Sequence, residues 1–393
     1  MERAMPNSGP EGAGFQNSIH LPTNPMLTSL EKEEELARKK FLAHSNNADT
    51  WNSLRPYQQL ILSLVEKYTL NEEQTLAFLI FADHHGRKYE MHEKLKPLRM
   101  ILGGPGGAGK SQVFDAIREF YILLGHETQL KITAPTGLAA NNVGGATIHA
   151  EASLHVEYAT MHSGSKHGQA CRTNLEEKWL SITAHISDEI YFLGVLDFAR
   201  MSQYLQLAKQ VIEEDVILGN LDTLFAGDPA QLPAPNATSL YDHELVKSHT
   251  TRKLNGLNGI HKQMVEGMVA WRKVDVCVML KQLMRQKEPI FQTLLTRLRV
   301  GVCTVEDYVF LQQFLIKNRS SEVNKEKLSI NKWIDDRGNA TPLICYTNAV
   351  RDAHNMKAAE AFAKATGQPF HIYYSIDYTS KGKKKKNATQ CSC

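Results

Sequence analysis

The sequence predicts an α/β protein built on a parallel sheet, and three observations predict it. A short apolar run, LRMIL at 98–102, ends in glycines and leads into a segment of helical periodicity. A second apolar run, LKITA at 130–134, follows. Strand, glycine-rich turn, helix and strand in that order make a βαβ unit, whose strands run parallel. Two more strand-like runs, NLDTLFAGD and VDVCVML, lie farther along and extend the sheet.

Each element can be justified in chain order. Residues 1–60 read as a flexible or helical extension, rich in Gly, Pro, Ser and Asn to about position 28. In SLEKEEELARKK, Glu34 faces Arg38 and Glu35 faces Lys39 at i, i+4, which describes a solvated helix. A main domain over 61–240 opens with LNEEQTLAFLIFA, where Asn71 caps, Gln74 stands at the third helical position and Leu76, Leu79 and Ile80 recur at helical spacing. The polar segment DHHGRKYEMHEKLKP reads as a turn, with His84, His85 and His92 as solvated loop histidines, since no acidic or Cys partner stands at ligand spacing. After the glycines, Val113, Phe114, Ile117, Phe120, Tyr121 and Leu124 share one helical face, and Gly125 stops the helix.

A long polar stretch places a linker at 241–274 and a second domain at 275–380, opened by VDVCVML. The helices EPIFQTLLTRLRVG and TVEDYVFLQQFL follow, the second begun by a capping box from Thr304 to Asp307. PLICYTNAV predicts a strand and a turn, and residues 381–393 form a basic tail containing KGKKKK.

Composition sets limits on function. Across 393 residues, 45 Lys and Arg stand against 42 Asp and Glu, a net charge of +3. Affinity for a polyanion therefore has to come from local arrangement rather than bulk charge. The six cysteines form no CxxC pair, which points to a reducing intracellular compartment. No stretch approaches the roughly 18 apolar residues of a membrane span.

The chemistry starts at GPGGAGKS. It fits G-x-x-x-x-G-K-[ST] between a strand and a helix, the context the phosphate-binding loop requires. Gly104, Gly106, Gly107, Ala108 and Gly109 let successive backbone N–H groups curl round phosphates, and the helix N-terminus adds a favourable dipole. Lys110 neutralises phosphate charge, and Ser111 offers a hydroxyl to magnesium. A magnesium-bound nucleoside triphosphate also needs a carboxylate at a neighbouring strand end and a second acid for the attacking water. Asp188 and Glu189, in ITAHISDEI, supply both, although His185 and Ser187 interrupt what is usually an aliphatic strand. In FAGDPAQLPAP, Gln231 sits on a proline-stiffened loop at the carboxyl end of the sheet, where ligands of such sheets bind. GTP selection has no support: the nearest string to N-K-x-D, NKWID, has Ile334 where the acid belongs.

LNEEQ, GGPGGAGKS, APTGLAANNVGGATIHA, the DE of SDEI, GDPAQLPAP and LKQLMRQ, in this order and spacing, resemble motifs Q, I, Ia with Ib, II, III and IV of the Pif-type DNA helicases, superfamily 1B. The resemblance runs from about Leu70 to about Asn355. It implies RecA-like motor domains that hydrolyse ATP with Mg2+ and step 5′ to 3′ along single-stranded DNA, in genome maintenance, repair and recombination. It also implies site roles: Gln74 at the adenine edge, Lys110 and Ser111 on phosphates and magnesium, Asp188 on magnesium, Glu189 as base, Gln231 sensing the γ-phosphate and Arg285 reaching it from the second domain. Pro135, Thr136, Gly137, Thr147 and His149 would lie along the single strand, where hydroxyls and backbone amides track phosphates without reading sequence. Gln74 fits a capping box equally well, and His149 a locally satisfied helix start.

The residues after Asn348 contain neither a TxHKxQG-like nor a YVALSR-like stretch, so motifs V and VI are missing and the second RecA-like domain reads as incomplete. An arginine finger is worth about 10³ to 10⁵ in rate in other P-loop enzymes. The resemblance therefore leaves an alternative, a remnant that holds ATP or single-stranded DNA without unwinding. A monomer is expected, in the nucleus rather than the mitochondrion.

Overall fold

The structure, a computed structural model, describes residues 54–211, 216–242, 259–313, 342–374 and 390–391. The charged run after Ser29, NKWID and the KGKKKK tail lie outside them. The chain divides into two compact units, Met1–Lys287 and Glu288–Cys393.

The first unit is a six-stranded sheet in the order β3-β2-β4-β5-β1-β6, every neighbouring pair parallel. Its strands are β1 (Arg99–Gly103), β2 (Leu130–Ala134), β3 (Ala146–Thr147), β4 (Ala184–Ser187), β5 (Asp222–Gly227) and β6 (Val276–Met279). Helices cover both faces because strand side chains alternate. Met100, Leu102, Leu224 and Ala226 join one core with α1 (Pro56–Lys67), α2 (Glu72–His85) and α3 (Lys110–Leu123). Ile101 and Phe225 belong to the opposite core with α7 (Lys166–Trp179), α8 (Val195–Ala208) and α9 (Gly259–Trp271). Three short helices, α4 (Gly137–Asn142), α5 (Ile148–Glu151) and α6 (Tyr158–His162), lie between β2 and α7.

The periodic face expected of α3 is the buried one: Val113, Phe114, Ile117, Phe120 and Tyr121 are at most 1% exposed. Each buried Phe of this kind contributes about 1.5–3 kcal/mol of transfer free energy. Gly125 ends the helix at φ +73°, a left-handed turn that suits glycine.

The second unit contains α10 (Pro289–Val300), α11 (Val305–Gln312), α12 (Asn348–Thr366) and a two-residue antiparallel pair, β7 (Tyr373–Tyr374) with β8 (Gln390–Cys391). The Thr304 capping box forms as read, with both reciprocal bonds to Asp307 present. Among its described residues there is no parallel sheet.

Three expectations are corrected. VDVCVML does not open a second domain: β6 pairs with β1 from Met100↔Val276 to Gly103↔Met279, so the first unit runs to Lys287. In the polar stretch before it, Gly259–Trp271 forms α9, packed in the core of the same unit. PLICYTNAV makes no strand, because the described residues offer its ladder no partner; residues 342–347 are irregular and α12 starts at Asn348. DHHGRKYE is no loop: α2 continues through His85 into a π-helical turn, Gly86–Glu90. His85 is 1% exposed and His84 bonds to Asp222, while only His92 is exposed as expected.

Candidate nucleotide site

The loop between β1 and α3 wraps its glycines as the motif requires. Gly107 and Gly109 have φ of +83° and +86°, and a side chain at either position would be strained. Lys110, the first residue of α3, is 9% exposed, and its Nζ donates to the carbonyls of Gly104 at 2.8 Å and Pro105 at 3.2 Å. The ammonium therefore lies along the loop that phosphates would occupy. Ser111 is exposed in the first turn of α3.

Two strands away, β4 delivers the paired acids. Asp188 continues the strand, its N–H donating to the Thr133 carbonyl at 2.8 Å. His185, fully buried in β4, is accommodated by a 2.8 Å bond between Nε2 and Thr133 Oγ1 and by the edge of the Trp179 ring. Burial pushes its pKa down to about 3, so it stays neutral. Glu189 turns sharply out of the strand at φ 49°, ψ 41°, a left-handed conformation costing a non-glycine residue about 1–2 kcal/mol.

Both acids are raised above the ordinary carboxylate range. For Asp188 burial is the cause, opposed by a backbone hydrogen bond at Glu189 and by the Lys110 charge; its Oδ1 is buried without a hydrogen-bond partner. For Glu189 burial leads, the Asp188 charge adds to it, Lys110 opposes and Asp228 contributes further. Asp228, 4% exposed, shapes the next loop, accepting from Ala230 N at 3.0 Å and Gln231 Nε2 at 3.5 Å. A Cβ on Gly106 would stand 3.2 Å from Gln231 Nε2, so the amide abuts the phosphate loop. A cleft of about 540 Å³ joins Glu189, Asp228 and Gln231 to Pro135 and Thr136. Such a constellation can bind polyphosphate, hold a hard cation on the unsatisfied carboxylate and draw a proton from water.

Residues 90–236 match the AAA domain family. ATP-dependent DNA helicase PIF1 of Saccharomyces cerevisiae is 27% identical over 282 residues, covering 70% of this chain and 27% of its own length. An uncharacterized protein of Invertebrate iridescent virus 6 is 23% identical over 284 residues, covering 70% of this chain and 48% of its own. The chain is similar in sequence to ATP-dependent DNA helicases of the Pif1 type. It spans between 27% and 48% of the length of these two relatives. The crystal structure of Pif1 helicase from Candida albicans shares its fold, with a TM-score of 0.50 at 17% identity over 78% of this chain and 56% of that one. The expected α/β parallel sheet with helices on both faces is thus borne out.

The remaining residues that the resemblance singles out are placed less uniformly. Thr136 and Thr147 act as helix N-caps, their hydroxyls accepting from Ala139 N at 3.2 Å and Ala150 N at 3.4 Å. Pro135 and Thr136 face the cleft, whereas Gly137 starts α4 and His149 lies on α5 with Nε2 3.9 Å from Asp197. Gln74 forms its capping box and also donates from Nε2 to the carbonyls of Ala108 and Gly109, both at 3.3 Å. Fully buried with both amide atoms engaged, it presents no edge to adenine in this structure. Arg285 belongs to the first unit, not the second: its N–H and that of Met284 donate to the Gly107 carbonyl at 3.2 and 2.9 Å. Tyr191 and Phe192 also line the cleft, and no local pattern marks them. A shift to about 12, caused mainly by burial, keeps the Tyr191 phenol protonated.

Proposed function

We propose that this chain is the motor portion of an ATP-dependent DNA helicase that hydrolyses ATP at the carboxyl end of the sheet to move 5′ to 3′ on single-stranded DNA. The observation that carries the reading is the convergence of the Lys110 charge on two desolvated acids, Asp188 and Glu189, beside Gln231. Lys110 and the loop N–H groups would bind the triphosphate, and Glu189 would take the proton of the attacking water. Gln231 would orient that water, and Arg285 would approach the γ-phosphate from beside Gly107. Asp188, with its unsatisfied Oδ1, and Ser111 suit Mg2+, which would neutralise charge on the phosphates. Pro135, Thr136, Gly137, Thr147 and His149 would track DNA phosphates, and the cleft gives the first two a direct route to Glu189. The protein would act as a monomer, in the nucleus. Among the described residues no helix is long and apolar enough to cross a membrane.

The test is ATP hydrolysis by the purified chain with and without single-stranded DNA, beside Lys110→Ala, together with displacement of a strand from a 5′-tailed duplex. DNA-stimulated hydrolysis and displacement, both lost in the variant, are expected. Nucleotide binding with background hydrolysis and no displacement would overturn the motor in favour of a domain that holds nucleotide without unwinding.

A further inference from the structure

We propose that Lys131, Lys178 and Trp179, none of them in the motifs named above, are positioning residues for single-stranded DNA: they clamp α5, the turn that carries His149 and follows Thr147, onto β2 and α7. Their role rests on the DNA path proposed above. Four residues are too few for a helix to hold itself, since nucleation fixes several residues for one hydrogen bond. The place of α5 is therefore set by what meets its ends. At its start Ala146 and Thr147 pair with Thr133 and Ala134 of β2, and Thr147 Oγ1 accepts from Ala150 N–H. Past that short ladder the carbonyls decide. Those of Ile148 and His149 accept from the N–H groups of Ala152 at 2.8 Å and Leu154 at 3.0 Å. A helix leaves its last carbonyls open, and here α7 fills them: Lys178 Nζ donates to Ala150 O at 2.9 Å and Trp179 Nε1 to Glu151 O at 2.9 Å. Every carbonyl of α5 is thereby satisfied, two of them by side chains from another element.

The Glu151 side chain closes the clamp on the strand side. Its Oε2 accepts from Lys131 Nζ at 2.6 Å, with the two side chains only 18% and 17% exposed. The same ammonium stands 5.1 Å from the centre of the Trp179 ring, a distance at which cation and ring attract. Trp179 is fully buried and meets His185 of β4 edge-on. Lys131 and His185 are register partners, so the clamp stands on the two strands whose carboxyl ends lead to Pro135 and to Asp188. Between these pins the His149 side chain is 47% exposed. A side chain fixed at its backbone yet open to solvent meets a strand with part of the ordering cost of binding already met. Lys131, Lys178 and Trp179 therefore act on DNA through α5 rather than by touching it.

Lys131→Met, Lys178→Met and Trp179→Phe test this in the full chain. Dissociation constants are measured for a fluorescent oligothymidylate by anisotropy and for ATP by calorimetry, in one magnesium buffer, with Tm beside them. Each variant should weaken the oligothymidylate by about threefold to tenfold, as loss of one hydrogen bond gives, while affinity for ATP holds. Trp179→Phe changes no charge, so a loss there cannot come from a missing lysine contact to phosphate. The Lys178 bond lies at the surface, so Lys178→Met should fold even if Trp179→Phe does not. Lys131→Arg, which can renew the pair with Glu151, should recover DNA affinity. Oligothymidylate affinity unaltered in Lys131→Met and Lys178→Met would overturn the clamp. Parallel losses of ATP and DNA affinity with a lowered Tm would overturn it too, as the mark of a merely structural role. A wild-type chain that binds ATP but not the oligothymidylate would instead refute the DNA path itself.

Discussion

The two ends of the parallel sheet each bury carboxylates, and they treat them in opposite ways. At the amino end Asp222, 2% exposed at the start of β5, accepts from Lys88 Nζ at 2.9 and 3.0 Å and from Leu98 N–H at 2.8 Å, with His84 Nε2 at 3.1 Å. Burial raises its pKa, but His84 and Lys88 outweigh burial and hold it below the ordinary carboxylate value. At the carboxyl end Asp188 has an unpartnered oxygen, Glu189 is in a left-handed backbone conformation, and both are raised. A buried acid whose partners come from its own fold is a structural tie. One whose partners are missing is arranged for something the fold does not contain, and pKa perturbation of that kind is where sites are found.

The largest effect expected from this contrast is on chemistry. Glu189→Gln keeps shape and removes the base proposed above, so ATP hydrolysis should fall by about 10² to 10⁴ while urea denaturation gives an unchanged unfolding free energy. Hydrolysis within tenfold of wild type would move the base elsewhere. At the amino end the order reverses. Asp222→Ala leaves Lys88 half-buried beside His84 without its acceptor, and breaking a buried pair from one side costs about 3–5 kcal/mol. Unfolding should register that loss, while the folded fraction keeps its affinity for nucleotide.

A smaller effect is read from pH. His85, bonded to Tyr121 Oη at 2.8 Å and His126 at 2.9 Å, and His185 in β4 are each pushed by burial down to about 3. Both are neutral in the fold, but the unfolded chain takes up their protons below about pH 6.5. The unfolded state then binds more protons, so stability falls as pH drops from about 6.5 towards 3, by about 1.4 kcal/mol per unit for each histidine. His85→Gln should lessen that slope by one histidine's share in denaturation series at several pH values. Asp222 acts in a lower window: its depressed value gives stability that is present above about pH 4 and lost below it. A slope unaffected by His85→Gln would mean that the amino-end cluster is solvated.

The two ends were also unequally legible in the sequence. The carboxyl end depends on short-range order, a strand followed at once by a turn, so the positions of the glycine loop, Asp188, Glu189 and Gln231 at the strand ends follow one segment at a time. The amino-end network joins His84 and Lys88 to an acid more than a hundred positions away, and no local pattern marks such a pairing. His84 and His85 consequently read as loop residues. Arg285 was misplaced for a related reason: VDVCVML declares a strand, but nothing local says that its neighbour is β1. Gln74 was legible as a cap; its reach to the loop carbonyls depends on how α2 packs on α3.

The smallest effect gives the finest test. Asp188→Asn removes a charge that burial disfavours and that leaves one oxygen without a partner, so it should abolish magnesium-dependent hydrolysis yet leave stability equal to wild type or higher by about 0.5–1 kcal/mol, the usual exchange at a site built for function. Asp222→Asn, the same chemical change at the other end of the sheet, should destabilise, because there the lost charge had partners. Measured side by side by thermal unfolding, the pair isolates surroundings from chemistry. If Asp188→Asn lowers Tm as much as Asp222→Asn does, Asp188 is a structural tie as well, and the distinction between the two ends fails where it is most specific.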